Sequence, residues 1–143
     1  MKLSRNLTLE EFISSKEASE HKINNSLPDS MLSKAVYLAC FCFEPIRSLL
    51  GDVPITLTSG YRCEELNKLV RGVSTSQHCK AEAFDFIPSN MTIDEAFEKI
   101  KKSSLTLDQL IKEHSKSSGS TWIHVSMKSK DNRKQIIDHL EKI

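Results

Sequence analysis

The sequence predicts an α+β fold: a mainly antiparallel sheet packed by helices. Three observations point there. Helical and strand-like segments are mixed without the strict alternation of a parallel α/β protein. Two capping boxes, at Thr8-Leu9-Glu10-Glu11 and Thr92-Ile93-Asp94-Glu95, mark helix starts. Short β-branched runs bounded by turn residues recur through the middle and the last third of the chain.

Taken in order, Thr8 caps a short helix that runs through Ile13, with Glu11 reaching back. Residues Ser14 to Pro28 are polar, and Asn24-Asn25 signals a loop. From Pro28 to about Leu50, apolar residues including Met31, Ala35, Leu38, Ala39, Cys42, Phe43, Ile46 and Leu49 recur at helical spacing. Pro45 lacks an amide proton and predicts a kink or break near Phe43, and Gly51 ends the helix. Val53–Thr58 reads as a first strand. Ser59–Arg62 turns out of it into a helix from Glu64 to about Val70, and residues 71–76 form a loop. Ala81–Ile87 reads as a second strand, and the Thr92 box opens a helix to about Lys102. Leu107–Lys112 reads as a third strand, Ser115–Ser120 as a hairpin connection, Trp122–Met127 as a fourth strand, and Asn132–Ile143 as a final helix.

The chain of 143 residues fits one domain, 1–143, with one core. A net charge of +1 gives no broad attraction to nucleic acid or anionic lipid. The basic stretches Lys99–Lys102 and Lys128–Lys134 read as solvated faces. No apolar run approaches the roughly 20 residues needed to span a bilayer, and the first residues lack the pattern of a signal peptide. Synthesis in the cytoplasm is expected, and the four cysteines are expected to be reduced there.

Chemistry concentrates in three segments: Ser76-Gln77-His78, Ala83-Phe84-Asp85 and Trp122-Ile123-His124-Val125-Ser126. Two histidines and a carboxylate supply the three protein ligands of a catalytic zinc site and leave a position for water. Between His78 and Asp85 there is enough chain to leave a loop, turn and return as a strand beside the same metal. His124 lies in strand-like alternation, so the sheet sets its direction. Taken singly, His78 and His124 read as ordinary polar residues and Asp85 as a strand-end cap; together they read as a metal site. Trp122 is taken to alternate away from His124 and is expected to serve in packing.

Thr58-Ser59-Gly60-Tyr61-Arg62, Glu65-Leu66-Asn67, Ser76-Gln77-His78, Glu82-Ala83-Phe84-Asp85-Phe86, Asp108-Gln109-Leu110-Ile111 and Trp122-Ile123-His124-Val125-Ser126 follow one another in an order and spacing that resembles the zinc D-Ala-D-Ala carboxypeptidase-like peptidases. That group shares a fold with lysostaphin-type peptidases and the hedgehog signalling domain. The likeness runs from Leu7 to about Met127 and is closest to small members from bacteria and their phages. It implies His78, Asp85 and His124 as ligands of Zn2+, and Arg62 as a residue that binds a substrate carboxylate, with Ser76 hydrogen-bonding within the site loop. Many relatives carry the general base three residues before the last histidine, where this chain has Thr121, which cannot serve. Other small members place a Glu after an Asp-Gln-Leu-Ile-like strand, and Glu113 matches them. His114 beside it is expected to be exposed, and no role is assigned to Gln77. Ala81 replaces a usual glycine and is expected to be tolerated. Implied partners are peptidoglycan or its precursor peptides, with no nucleic acid, no membrane insertion and a monomeric chain. The implied activity is hydrolysis of a stem-peptide bond, by a cytoplasmic carboxypeptidase or by a lysis enzyme released to the wall. The alternative is a zinc-containing binding module of the same fold that has lost catalysis.

Overall fold

A computed structural model describes all residues 1–143. Its centre is a five-stranded sheet of β3 (Thr56–Ser59), β4 (Ala83–Ile87), β5 (Gln109–Ser115), β6 (Thr121–Ser126) and β7 (Gln135–Lys142), in the order β3-β4-β6-β5-β7. Every neighbouring pair is antiparallel except β5 and β7. The fold is therefore α+β with a mainly antiparallel sheet, as the sequence predicts.

Alternation along the strands gives the sheet two distinct faces. Phe84, Phe86, Leu110, Ile123 and Val125 are buried on one face, within a core cluster that includes Phe12, Leu38, Phe43, Ile46 and Phe97. Phe43 meets the edge of Phe84 at 5.7 Å between ring centroids. Each fully buried side chain of this size contributes about 1.5–3 kcal/mol. The other face carries the polar residues Asp85, His124 and Glu113, all buried.

The helices that cover the apolar face follow their local signals. Helix α1 (Leu9–Ile13) has the expected capping box, with Thr8 Oγ1 accepting from the Glu11 amide at 3.1 Å. Helix α6 (Ile93–Lys101) is capped by Thr92, whose Oγ1 accepts from the Glu95 amide at 3.1 Å and donates to the Glu95 carboxylate. The long helical segment begins with a 3-10 turn at Asp29–Met31 and continues as α3 (Leu32–Leu38). It then widens into a π turn at Ala39–Phe43 and ends as α4 (Glu44–Leu49). Pro45 explains the π turn: it has no amide to continue the α pattern, and the Glu44 amide instead reaches five residues back to Ala39. The chain is redirected within a continuous helix.

Two elements are unanticipated and one expectation needs correction. A short hairpin of β1 (Lys2–Ser4) and β2 (Leu7–Thr8) precedes α1. The polar stretch after α1 contains α2 (Lys16–Glu20), capped by Ser15 and burying only Ala18. Both elements are too short to show a period. The expected helix over Asn132–Ile143 is β7. Strand β6 ends beside the start of β5, so the chain crosses over at residues 127–134 and returns parallel to β5. A register shift pairs Ile111 with Ile137 but Glu113 with Leu140. Three steps along β7 therefore match two along β5. This bulge puts the half-buried Ile137 and Leu140 three residues apart, which is the spacing that mimics a helix.

Helix α5 (Glu64–Leu69) follows the turn at Gly60–Cys63, which packs tightly on the first helix. The Tyr61 amide donates to the Phe12 carbonyl at 2.8 Å. Buried Asn25 donates to the Ile13 and Tyr61 carbonyls and accepts from the Cys63 amide, so the loop signal at Asn24-Asn25 is also a staple. A Cβ on Gly60 would overlap the Phe12 carbonyl oxygen. Gly60→Ala is expected to lower the unfolding free energy by about 1–3 kcal/mol, measured by urea denaturation.

Candidate metal centre

His78 sits in a 3-10 turn at Gln77–Lys80 that enters β4. The Ser76 hydroxyl starts the turn, accepting from the His78 amide at 3.2 Å and from Arg62 Nη2 at 3.2 Å. The Arg62 amide donates to the His78 carbonyl. Ala81 closes the turn in the left-handed region, at φ 58° and ψ 35°, and is fully buried. The backbone here has the positive φ that favours glycine, while the buried Ala81 Cβ is accommodated by its neighbours. An alanine in that conformation costs about 1–2 kcal/mol, and the surrounding bonds must hold it.

The sheet supplies the other candidate ligands. Asp85 on β4 lies directly opposite His124 on β6. His78 Nε2 is 3.2 Å and His124 Nδ1 3.0 Å from the same oxygen, Asp85 Oδ1. Donor atoms of the three residues all lie within 4.8 Å of one another. Tetrahedral ligands about 2.0–2.1 Å from zinc stand roughly 3.3–3.4 Å apart, so the two spacings to Asp85 need little adjustment.

The hydrogen-bond pattern tests whether a cation fits. His78 Nδ1 lies 2.7 Å from the Gly60 carbonyl, which can only accept, so Nδ1 carries the proton. The burial of His78 pushes its pKa below the ordinary value, although the Asp85 carboxylate pulls the other way. Nε2 is therefore the nitrogen turned toward Asp85: a proton on it would bond the carboxylate, and a divalent cation between the two would take that proton's place on the Nε2 lone pair. Burial would raise the Asp85 pKa, but His78 and His124 outweigh it and hold the carboxyl well below the usual carboxylate range. Two imidazole nitrogens and a carboxylate form a donor set suited to zinc and similar divalent ions.

Glu113 is buried in β5 opposite Trp122, diagonal to His124. Its Oε1 is 3.8 Å from His124 Nδ1 and accepts from Trp122 Nε1 at 3.2 Å. Its Oε2 pairs with Lys142 Nζ at 3.0 Å. Trp122 therefore shares a face with His124, because residues two apart on a strand point the same way. The expectation that it alternates away is corrected. Thr121 points elsewhere and meets His114 Nδ1 at 2.8 Å. His114 is half-buried, not exposed, and its ring stacks at 6.3 Å on His139 of β7. The hairpin connection leaves β5 and β6 in register from Gln109↔Ser126 to His114↔Thr121, so Glu113 reaches the cluster.

A sequence model described as Peptidase M15 matches residues 5–126. The chain belongs to this family of metallopeptidases. No curated protein matches it significantly. Residues 127–143 lie beyond the matched part, yet they supply Lys142 to Glu113 and two cations to Asp108. Nothing in the sequence pattern of β7 marks Lys142, since parallel pairing with β5 alone brings it to Glu113.

Asp108 is fully buried. Arg133 donates to it through its amide at 2.9 Å, Nη2 at 2.7 Å and Nε at 3.2 Å; Lys128 Nζ approaches to 3.6 Å and Gln77 Nε2 donates at 2.6 Å. The stretch Lys128–Lys134 is thus not merely a solvated face. Burial would raise the Asp108 pKa, but the bonds from Arg133 and Gln77 hold it well below the usual range. A depressed folded pKa adds stability above the unfolded value near 4, lost as pH falls below it. Asp108→Asn is expected to cost about 1–3 kcal/mol at pH 7, and the gap from wild type should narrow in urea titrations below about pH 4.

Proposed function

We propose that the chain is a zinc peptidase that hydrolyses a peptide bond in the stem peptides of bacterial peptidoglycan. The observation that carries this reading is the convergence of His78 Nε2, oriented by the Gly60 carbonyl, and His124 Nδ1 on one oxygen of Asp85. His78, Asp85 and His124 would hold the zinc. Bound zinc supplies Lewis-acid polarisation and lowers the pKa of a water near the scissile carbonyl.

The rest of the reaction falls to the chain's own groups. The Glu113 carboxylate takes a proton from the attacking water and hands it to the leaving amine. Trp122 Nε1 and Lys142 Nζ each hold one of its oxygens, which fixes the direction of that transfer. Arg62 is bonded to Ser76 through Nη2, and its buried Nε has no partner. An arginine with free donors beside the cluster suits a carboxylate, which a guanidinium grips with paired bonds. Stem peptides end in such a group. Ser76 supports the substrate indirectly, by holding both Arg62 and the His78 turn, and its own O–H remains free to donate.

Mass spectrometry of peptidoglycan digested by the zinc-loaded protein tests the reading and identifies the bond cut. Glu113→Gln is expected to retain about one zinc per chain and lose on the order of 10²–10⁴-fold in kcat. No product from any stem peptide, with zinc fully bound, would instead favour the binding-module alternative. Arg62→Ala is expected to raise KM by about 10–100-fold for peptides with a free terminal carboxylate, the range for a lost bond to a charged group. Steady-state kinetics on amidated peptides should show little of that loss.

A further inference from the structure

We infer that Gln77 is a positioning residue for the metal centre, holding the His78 turn through a buried chain of bonds to Asp108 and Arg133. The inference rests on the reading of His78 as a metal ligand and concerns what keeps that ligand in place.

Gln77 directly precedes His78, and its carbonyl accepts from the Glu82 amide across the turn. Its side chain leaves the turn and donates to Asp108 Oδ2 at 2.6 Å. The other end of the amide, Oε1, is buried without a partner. The Asp108 bond is therefore the one polar anchor of this side chain. A carboxylate can only accept, so the amide orientation follows from chemistry.

Asp108 stands where β5 begins and is tied into the sheet by its own backbone. Its amide donates to the Ser126 carbonyl at 2.8 Å, and its carbonyl accepts from the Gln135 amide at 3.0 Å. The anchor is thus bonded to both β6 and the start of β7. Arg133 occupies both carboxylate oxygens, and Lys128 adds a second positive charge. Without Arg133, a fully buried carboxylate would lose its main compensating charge and its fixed orientation.

The turn needs such an anchor because it ends in the left-handed Ala81, a conformation that persists only where neighbouring contacts over-determine it. The Gly60 carbonyl fixes the rotation of the His78 ring, and Gln77 fixes the backbone that carries the ring. Groups around metal ligands commonly change affinity by about 10–100-fold when removed. An anchor that acts through the backbone belongs at the lower end.

The test compares zinc affinity, by competition with a chromophoric chelator, in the full-length wild type, Gln77→Leu, Arg133→Ala and the double variant. Arg133 is 54% exposed at its side chain, so its removal leaves the apolar core intact. Gln77→Leu is expected to weaken zinc binding by about tenfold and to shift the visible spectrum of the cobalt-loaded protein. The double variant should lose little more than the worse single one, because both act through Asp108, and Arg133→Lys should recover part of the loss. Unchanged zinc affinity in Gln77→Leu overturns the inference while leaving the metal reading intact. So do losses that simply add, or a loss matched by a drop in the melting temperature of the metal-free protein. Failure of the wild type to bind zinc sinks the metal reading and this inference together.

Discussion

The pairing of β4 with β6 places Asp85 opposite His124, and the polar face of the sheet depends on that register. A slip of one residue would turn Phe84 or Phe86 onto the polar face and bury the carboxylate among the aromatic rings of the core. The apolar alternation of Phe84, Phe86, Ile123 and Val125 thus positions two candidate ligands without contacting them. The same register passes to β5, where Glu113 faces Trp122 and reaches His124 diagonally. Packing on one face of the sheet sets the chemistry on the other.

Three buried carboxylates stand on or beside that face, and each is satisfied differently. Asp85 meets two imidazoles, Glu113 an indole N–H and Lys142, and Asp108 a glutamine, an arginine and a lysine. Burying a charge is tolerated only when it is paired and hydrogen-bonded. The cations that pair with Glu113 and Asp108 all come from beyond residue 126, in the crossover and β7. The last strand is therefore more than an added edge. It delivers the charges that allow two acidic residues to remain buried near the candidate metal centre.

Much of this was legible in the sequence where the signal is local. Thr8 and Thr92 cap helices because the capping box needs only four consecutive residues. Pro45 announces the change of helical pattern because the missing amide belongs to proline itself. His78, Asp85, His124 and Arg62 stand in motifs that keep their spacing, and Glu113 follows the Asp108-Gln109-Leu110-Ile111 strand although its separation from His124 is longer. Short elements such as α2 carry no period to read. In β7 a bulge gives the apolar residues helical spacing, and in β6 Trp122, two residues from His124, shares its face instead of alternating away from it.

By itself, then, the sequence determined the fold class, the apolar alternation that gives the sheet its two faces, and the identity of the residues that gather on the polar one. Tertiary structure alone decided which groups those residues meet. The Gly60 carbonyl turns Nε2 of His78 toward Asp85, the crossover brings Arg133 to Asp108, and parallel pairing sets Lys142 on Glu113. Each of these contacts joins segments far apart in the chain. Local propensity and periodicity describe neighbours along a helix or strand, and only the packed chain determines how distant donors and acceptors meet.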